Sequence, residues 1–371
     1  MGNILNYLQE RGNTPFSKSR FNKVDNVIMS QIVYLDFDGI VGDGLDRPVT
    51  IEKAWQAFSE KYNEEKVAKP KYMNEDTPLV LKEMASGQRF KNAKLSGYVN
   101  QIDKLEGKQF AALRIELDDG TVYIAFRGTD DYIVSWQEDF CMSYKTVPAQ
   151  RQAASYLYEQ MRDSNEDFRV GGHSKGGNLA VFAAMKCPTD MQEQIINVYD
   201  NDGPGFDNEV LESEEYGAIK NKVIRITPQF SIVGTLFEHD ANHKIVGSSA
   251  HAMLQHDSMT WEVTGSEFVY KQKHSKRSRL LTKTLSKWIN GLKVEERKEF
   301  VKSLFGTLRE GGVEKLSEVP EGKRRRFFKL CDMALHTSKT TKTALMTLLL
   351  TFVTIYGKEG LNIISTFIGR K

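Results

Sequence analysis

The twelve residues 169–180, Arg-Val-Gly-Gly-His-Ser-Lys-Gly-Gly-Asn-Leu-Ala, constrain this chain more than any other stretch. Within them, Gly172-His173-Ser174-Lys175-Gly176 has the G-x-S-x-G spacing of a nucleophile elbow, in which a serine rides a sharp strand-to-helix turn. Such a turn strains the backbone at the serine, and side chains at the flanking glycine positions would clash. Asp167–Val170 reads as the end of a short strand. Asn178–Met185 is small and apolar and reads as a helix packed under a sheet. Ser174 Oγ is then expected over the sheet edge, with the helix N-terminus beneath it favouring negative charge.

The rest of the chain supplies the elements such a turn needs. Asn26–Leu35 reads as a buried helix. It runs into Asp36-Phe37-Asp38-Gly39, which superficially resembles the D-x-D-G loop of haloacid dehalogenase-like phosphatases and is better explained as an acidic turn. Residues 50 to about 95 read as a helical insertion, with apolar i, i+3, i+4 spacing over Ile51–Phe58. Phe110–Leu117 and Thr121–Phe126 alternate around the turn Asp118-Asp119-Gly120 and read as strands. Ala149–Met161 reads as an amphipathic helix. Gln194–Tyr199, Lys222–Thr227 and Lys244–Ser249 read as further strands. Strands alternating with helices predict an α/β fold: a mostly parallel sheet covered on both faces.

After residue 270 the character changes. Residues 271–371 hold 23 Lys and Arg against 9 Asp and Glu, a net of +14. Residues 1–270 therefore carry −12 of the chain's +2. Leu280–Leu292, Glu295–Leu308 and Lys323–Leu335 read as helices with basic faces. Ala344–Tyr356 is apolar but too short to span a bilayer. The expected organisation is an α/β domain over 1–270 and a basic helical region over 271–371. That region either docks on the acidic body as a cap or meets an anionic membrane surface, and salt-dependent sedimentation with anionic liposomes separates the two. The run Lys323–Arg326 has no aromatic interleaving and no nucleic-acid module around it, so nucleic acid is not expected as a partner. Three scattered cysteines without a C-x-x-C pair suggest reduced thiols, a cytoplasmic protein and no zinc site. The start lacks a basic and apolar leader, so no signal peptide is expected. No cofactor or metal is expected.

A nucleophilic serine needs a base, an orienting acid and an oxyanion pocket. Position favours His256, after the last candidate strand, as the base, with His251 in reserve. One oxyanion donor is expected from the backbone N–H of Lys175, directly after the serine. The second is expected from Thr129 in the turn after strand Thr121–Phe126. Here a resemblance becomes specific. Ala125-Phe126-Arg127-Gly128-Thr129, followed by Trp136 and Asp139, resembles the F-R-G-[ST]…W…D segment of class 3 (fungal-type) lipases. The spacing to the G-H-S-x-G-G-x-L-A elbow is also similar. Over roughly residues 105–262 the chain looks closest to a bacterial family of lipase-like proteins with N-D-G-P-G-F after the elbow and Q-H-D…W near the end. The resemblance implies an α/β-hydrolase fold, Thr129 and Lys175 in the oxyanion hole, and His256 as base.

The acid departs from that pattern. Class 3 lipases place an aspartate in a D-x-V segment after the strand that is Lys222–Thr227 here. This chain has Ser231-Ile232-Val233 there. A serine cannot stabilise an imidazolium by charge, so another carboxylate must serve. Asp202 is preferred, in an arrangement that resembles pancreatic-type lipases. Asp200 is the reserve acid, and Glu238 and Asp240 are remoter alternatives. The expected function is a serine hydrolase of carboxylic esters, lipid-like ones foremost. The alternative is a catalytically impaired hydrolase-fold binding or scaffold protein at the membrane surface, suggested by Ser231 and by the cation of Lys175 beside the serine.

Overall fold

The computed structural model describes residues 2–63, 75–103, 108–129, 137–139, 141–142, 145–231, 233–235, 237, 242–276 and 278–280, with scattered positions from 293 to 302. Strand β4 (Thr121–Phe126) shows how the sheet is built. Val122, Ile124 and Phe126 enter one apolar cluster, while Tyr123 and Ala125 enter another on the opposite face. That is the period-2 alternation of a sheet buried on both sides. β4 continues in parallel register into β5 (Asp167–His173), β6 (Ile195–Asn201), β7 (Val223–Pro228) and β8 (Asn242–Val246). Antiparallel strands flank this block: β1 (Val49–Thr50), β2 (Lys94–Asp103) and β3 (Lys108–Glu116) on one side, and Tyr270–Lys271 on the other. The sheet is the expected one in its centre. β2 is new, because its register shift between Ser96 and Val99 breaks the alternation that marks a strand in sequence.

Helices cover both faces. On one lie α1 (Ile4–Arg11), α2 (Lys23–Ile32), α3 (Ile51–Asn63) and α4 (Thr77–Ser86). On the other lie α5 (Pro148–Met161) and α6 (Lys175–Lys186). The buried helix expected over Asn26–Leu35 is α2, shifted three residues earlier, with every residue from Val24 to Ile32 buried. Its polar residues are paired with the sheet. Asn26 Nδ2 donates to Asn201 Oδ1 at 2.8 Å, Asn201 Nδ2 donates to Ser30 Oγ at 3.0 Å, and Tyr123 Oη donates to Asn26 Oδ1 at 2.7 Å. Buried amides satisfied in this way fix one orientation of α2 on the strands. A buried Arg89–Asp25 pair at 2.5 Å ties the end of α4 to α2. The acidic turn at Asp36 is structural: its carboxylate accepts from Tyr62 Oη at 2.5 Å and pairs with Lys61 at 3.3 Å.

Among the described residues no helix is long and apolar enough to cross a membrane. The helices expected over Lys323–Leu335 and Ala344–Tyr356, and most of those over Leu280–Leu292 and Glu295–Leu308, lie outside the described residues.

Candidate active site

β5 ends at His173, and α6 begins at Lys175. Ser174 between them has φ 56° and ψ −132°, a conformation that costs a non-glycine residue about 1–3 kcal/mol. The chain reverses so tightly that a Cβ on Gly172 would sit 2.4 Å from the Gly176 carbonyl carbon, and one on Gly176 2.1 Å from the Phe126 carbonyl oxygen. Both glycines of the motif are therefore required by close backbone approach. The Ser174 N–H donates to the Asn201 carbonyl at 2.9 Å, which anchors the strained residue to the neighbouring strand.

Asp202 follows β6 and also has a left-handed backbone, at φ 58°. Its N–H donates to the Ile226 carbonyl at 2.8 Å. Its fully buried carboxylate accepts from His256 Nδ1 through Oδ2 at 2.6 Å. In the neutral imidazole that bond leaves Nε2 with the lone pair, the state a general base needs. His256 closes the short 3₁₀ turn Ala252–His256 after β8. His251 is exposed at the start of that turn. The Asp257 side chain accepts from the Met259 N–H at 3.0 Å. Glu238 and Asp240 lie outside the described residues.

Ser231 is not an empty position. Its hydroxyl donates to Asp202 Oδ1 at 2.5 Å, opposite the oxygen that holds His256. Asp200 does something different. It accepts the Gly203 N–H at 2.8 Å and sits 3.3 Å from Arg225 Nε. Burial, with the Asp202 charge adding to it, pushes the Asp200 carboxyl up to about 7 against the pull of Arg225.

The Lys175 ammonium is fully buried and directed to the α5 side of the sheet. It donates to the Gln109 carbonyl at 3.1 Å, to Gln109 Oε1 at 2.9 Å and to Glu138 Oε2 at 3.1 Å. Glu138 also accepts the N–H groups of Gln109 and Ala149. The backbone of Lys175 thus opens α6 while its side chain locks the elbow to the segment after Thr129. The Thr129 hydroxyl donates to Asp139 Oδ2 within that same segment. Trp136 lies outside the described residues.

The His173 ring lies against His256, with centroids 4.7 Å apart, and its Nε2 donates to the His256 carbonyl at 2.7 Å. Nδ1 is then the acceptor and takes the Tyr34 hydroxyl at 3.2 Å. Burial, reinforced by His256, lowers the His173 pKa to about 3. An unfolded histidine titrates near 6.5, so between these values the unfolded chain binds the extra proton. Stability contributed by this residue is therefore intact above pH 6.5 and lost as pH falls toward 3. We expect the unfolding free energy of His173→Asn to depend less steeply on pH between 6 and 4, by up to about 1.4 kcal/mol per pH unit. Urea titrations of both proteins at several pH values check this; parallel profiles would contradict a neutral buried His173.

The contacts of buried Ser231 and buried His173 could not be found from spacing, because hydrogen bonds to an atom 29 or 83 residues distant leave no periodic signal. The described residues contain no group of three or more His, Cys, Asp or Glu side chains able to hold a metal ion.

The sequence profile of the Mbeg1-like family matches residues 84–306. No curated protein matches the chain. Among solved structures it is similar to the lipase of Rhizomucor miehei in complex with its propeptide, at 18% identity and a TM-score of 0.32, covering 43% of this chain and 58% of that one. It is also similar to M37 lipase, at 19% identity and a TM-score of 0.31, covering 50% of this chain and 69% of that one. A third similar structure is the Lip2 lipase of Yarrowia lipolytica, at 16% identity and a TM-score of 0.32, covering 54% of this chain and 81% of that one.

Proposed function

The chain belongs to the Mbeg1-like family, and we propose that it is a serine hydrolase cleaving carboxylic esters, lipid-like ones foremost, through an acyl-enzyme on Ser174. The observation that carries this reading is the 2.6 Å bond from His256 Nδ1 to buried Asp202, with the His256 ring against that of His173, the residue before a serine held at φ 56°. In this reading Ser174 Oγ attacks the ester carbonyl carbon while His256 Nε2 takes its proton. The tetrahedral oxyanion is held by the N–H groups of Lys175 and Thr129. The imidazolium returns the proton to the leaving alcohol, and Asp202 stabilises the charge in between. Water then attacks the acyl-enzyme by the same route in reverse, releasing the acid. Thr129 is supported for its part by the bond from its hydroxyl to Asp139, which fixes the turn that presents its N–H.

The alternative of an impaired hydrolase-fold binding protein drew on Ser231 and on the Lys175 cation. Ser231 bonds to the acid, and the Lys175 ammonium is occupied by Glu138 and Gln109. Neither observation favours loss of activity. Nitrophenyl esters from short to long acyl chain, assayed alongside covalent labelling by a fluorophosphonate, test the proposal. Turnover and labelling that both vanish in Ser174→Ala are expected. A well-folded protein that neither turns over any ester nor takes the label would leave the binding reading standing.

A further inference from the structure

The loop after β7 touches Asp202 and the residue before His256. The Phe230 N–H donates to Gln255 Oε1 at 2.7 Å, one residue before the imidazole. Ser231 Oγ donates to the carboxylate of Asp202. Gly234 closes over the same place, since a Cβ there would lie 2.1 Å from Asp202 Oδ1 and 2.9 Å from Ser231 Oγ. The loop is itself held from outside the α/β body, by the first residues of the basic region. Ser275 N–H donates to the Gln229 carbonyl at 2.8 Å. Ser278 Oγ donates to the Ser231 carbonyl at 2.7 Å and accepts the Ser231 N–H at 3.2 Å. The Ser278 N–H in turn donates to Ser275 Oγ at 3.1 Å. Ser278 is fully buried although its neighbours Arg279 and Leu280 are exposed. One hydroxyl thus bonds both backbone groups of the residue that supports the acid; the Thr235 hydroxyl donates to the same carbonyl at 3.0 Å, so the Ser231 N–H is the group that depends on Ser278.

We infer that Ser278 is a positioning residue for the hydrolytic site: it holds Ser231, Ser231 orients Asp202, and Asp202 orients His256. The beginning of the basic region is then part of the working site. This rests on the reading of Ser174 as nucleophile, and it gives the region after residue 270 a role that its charge alone does not suggest. Removing the Ser278 hydroxyl leaves the buried Ser231 N–H unpaired and its C=O with only the Thr235 hydroxyl, so the loop shifts to recover a partner and carries the Ser231 hydroxyl off the carboxylate.

The test is the rate of fluorophosphonate labelling at Ser174 in the full-length chain, compared with the fraction of molecules that label at completion. Rate reports the orientation of the acid and base; the final fraction reports correct folding. In Ser278→Ala and in Ser231→Ala the rate is expected to fall by about tenfold, the effect of losing one hydrogen bond, with the final fraction unchanged. The double variant should be no slower than Ser231→Ala, because both act through one contact. A Ser278→Ala protein that labels at the wild-type rate would overturn the inference, as would a loss confined to the final fraction or losses that multiply in the double variant. Absence of labelling in the wild type would instead overturn the assignment of Ser174, so the two failures are distinguishable.

Discussion

Replacing Ser174 by alanine is expected to abolish ester turnover, and His256→Ala should match it, each lowering kcat by about a millionfold. The two side chains act as a unit. Without Ser174 Oγ there is no nucleophile for the imidazole to deprotonate, and without the imidazole the hydroxyl stays protonated and weak. The double variant should therefore be little worse than either single one. Steady-state rates on a nitrophenyl ester give the comparison, with circular dichroism to confirm that each variant folds. Losses that multiply would mean that serine and histidine serve separate steps, and the mechanism above would not stand. Ser174→Ala also removes a residue held in a strained conformation, but alanine at φ 56° is no easier than serine, so no gain in stability is expected.

Asp202→Asn is expected to lower kcat by about three to four orders of magnitude. The amide keeps the size of the carboxylate but offers its nitrogen or an uncharged oxygen to His256 Nδ1, and the imidazolium loses its counter-charge. Asp200→Asn should cost turnover far less and stability more. Its oxygens hold the Gly203 N–H and face Arg225, and a buried guanidinium without its partner costs about 3–5 kcal/mol. Rates and urea midpoints on the same two variants separate the roles. The reverse ranking in kcat would transfer the orienting role to Asp200.

The central sheet was legible in the sequence because its strands alternate and are bounded by turns. The elbow at Ser174 was legible because such a turn demands glycines at fixed positions on either side. His256 could be proposed from its order after β8. Asp202 could be proposed from the missing acid at Ser231 and a resemblance to pancreatic-type lipases, since a carboxylate beside a Gly-Pro turn by itself reads equally as turn chemistry. What remained hidden is long-range and polar. Nothing in the run Asn26–Ser30 announces that its amide meets Asn201, and nothing at Glu138 announces that it neutralises Lys175. Lys175 is the clearest case. A lysine next to a nucleophile suggests a cation in the site, yet its side chain is long enough to pass behind the elbow and be buried against an acid 37 residues earlier. β2 was missed because a bulge breaks its period. Charge runs, by contrast, were easy to see and say little about where a chain folds.

The amide pair between Asn26 and Asn201 joins residues 175 positions apart. On a ribosome adding about 5–20 residues per second, α2 leaves the exit tunnel roughly 10–35 s before the strand that receives it. For that interval a helix that is almost wholly buried in the finished protein lacks part of the sheet it packs on, and Asn26 lacks Asn201 as a partner. The same Asn201 supplies the carbonyl that anchors Ser174, so Ser174 can take its final geometry only after β6 is in place. Activity should therefore appear late in synthesis, well after the elbow itself has been translated. A newly made chain stalled before β6 would be a natural client for a chaperone that shields apolar helices.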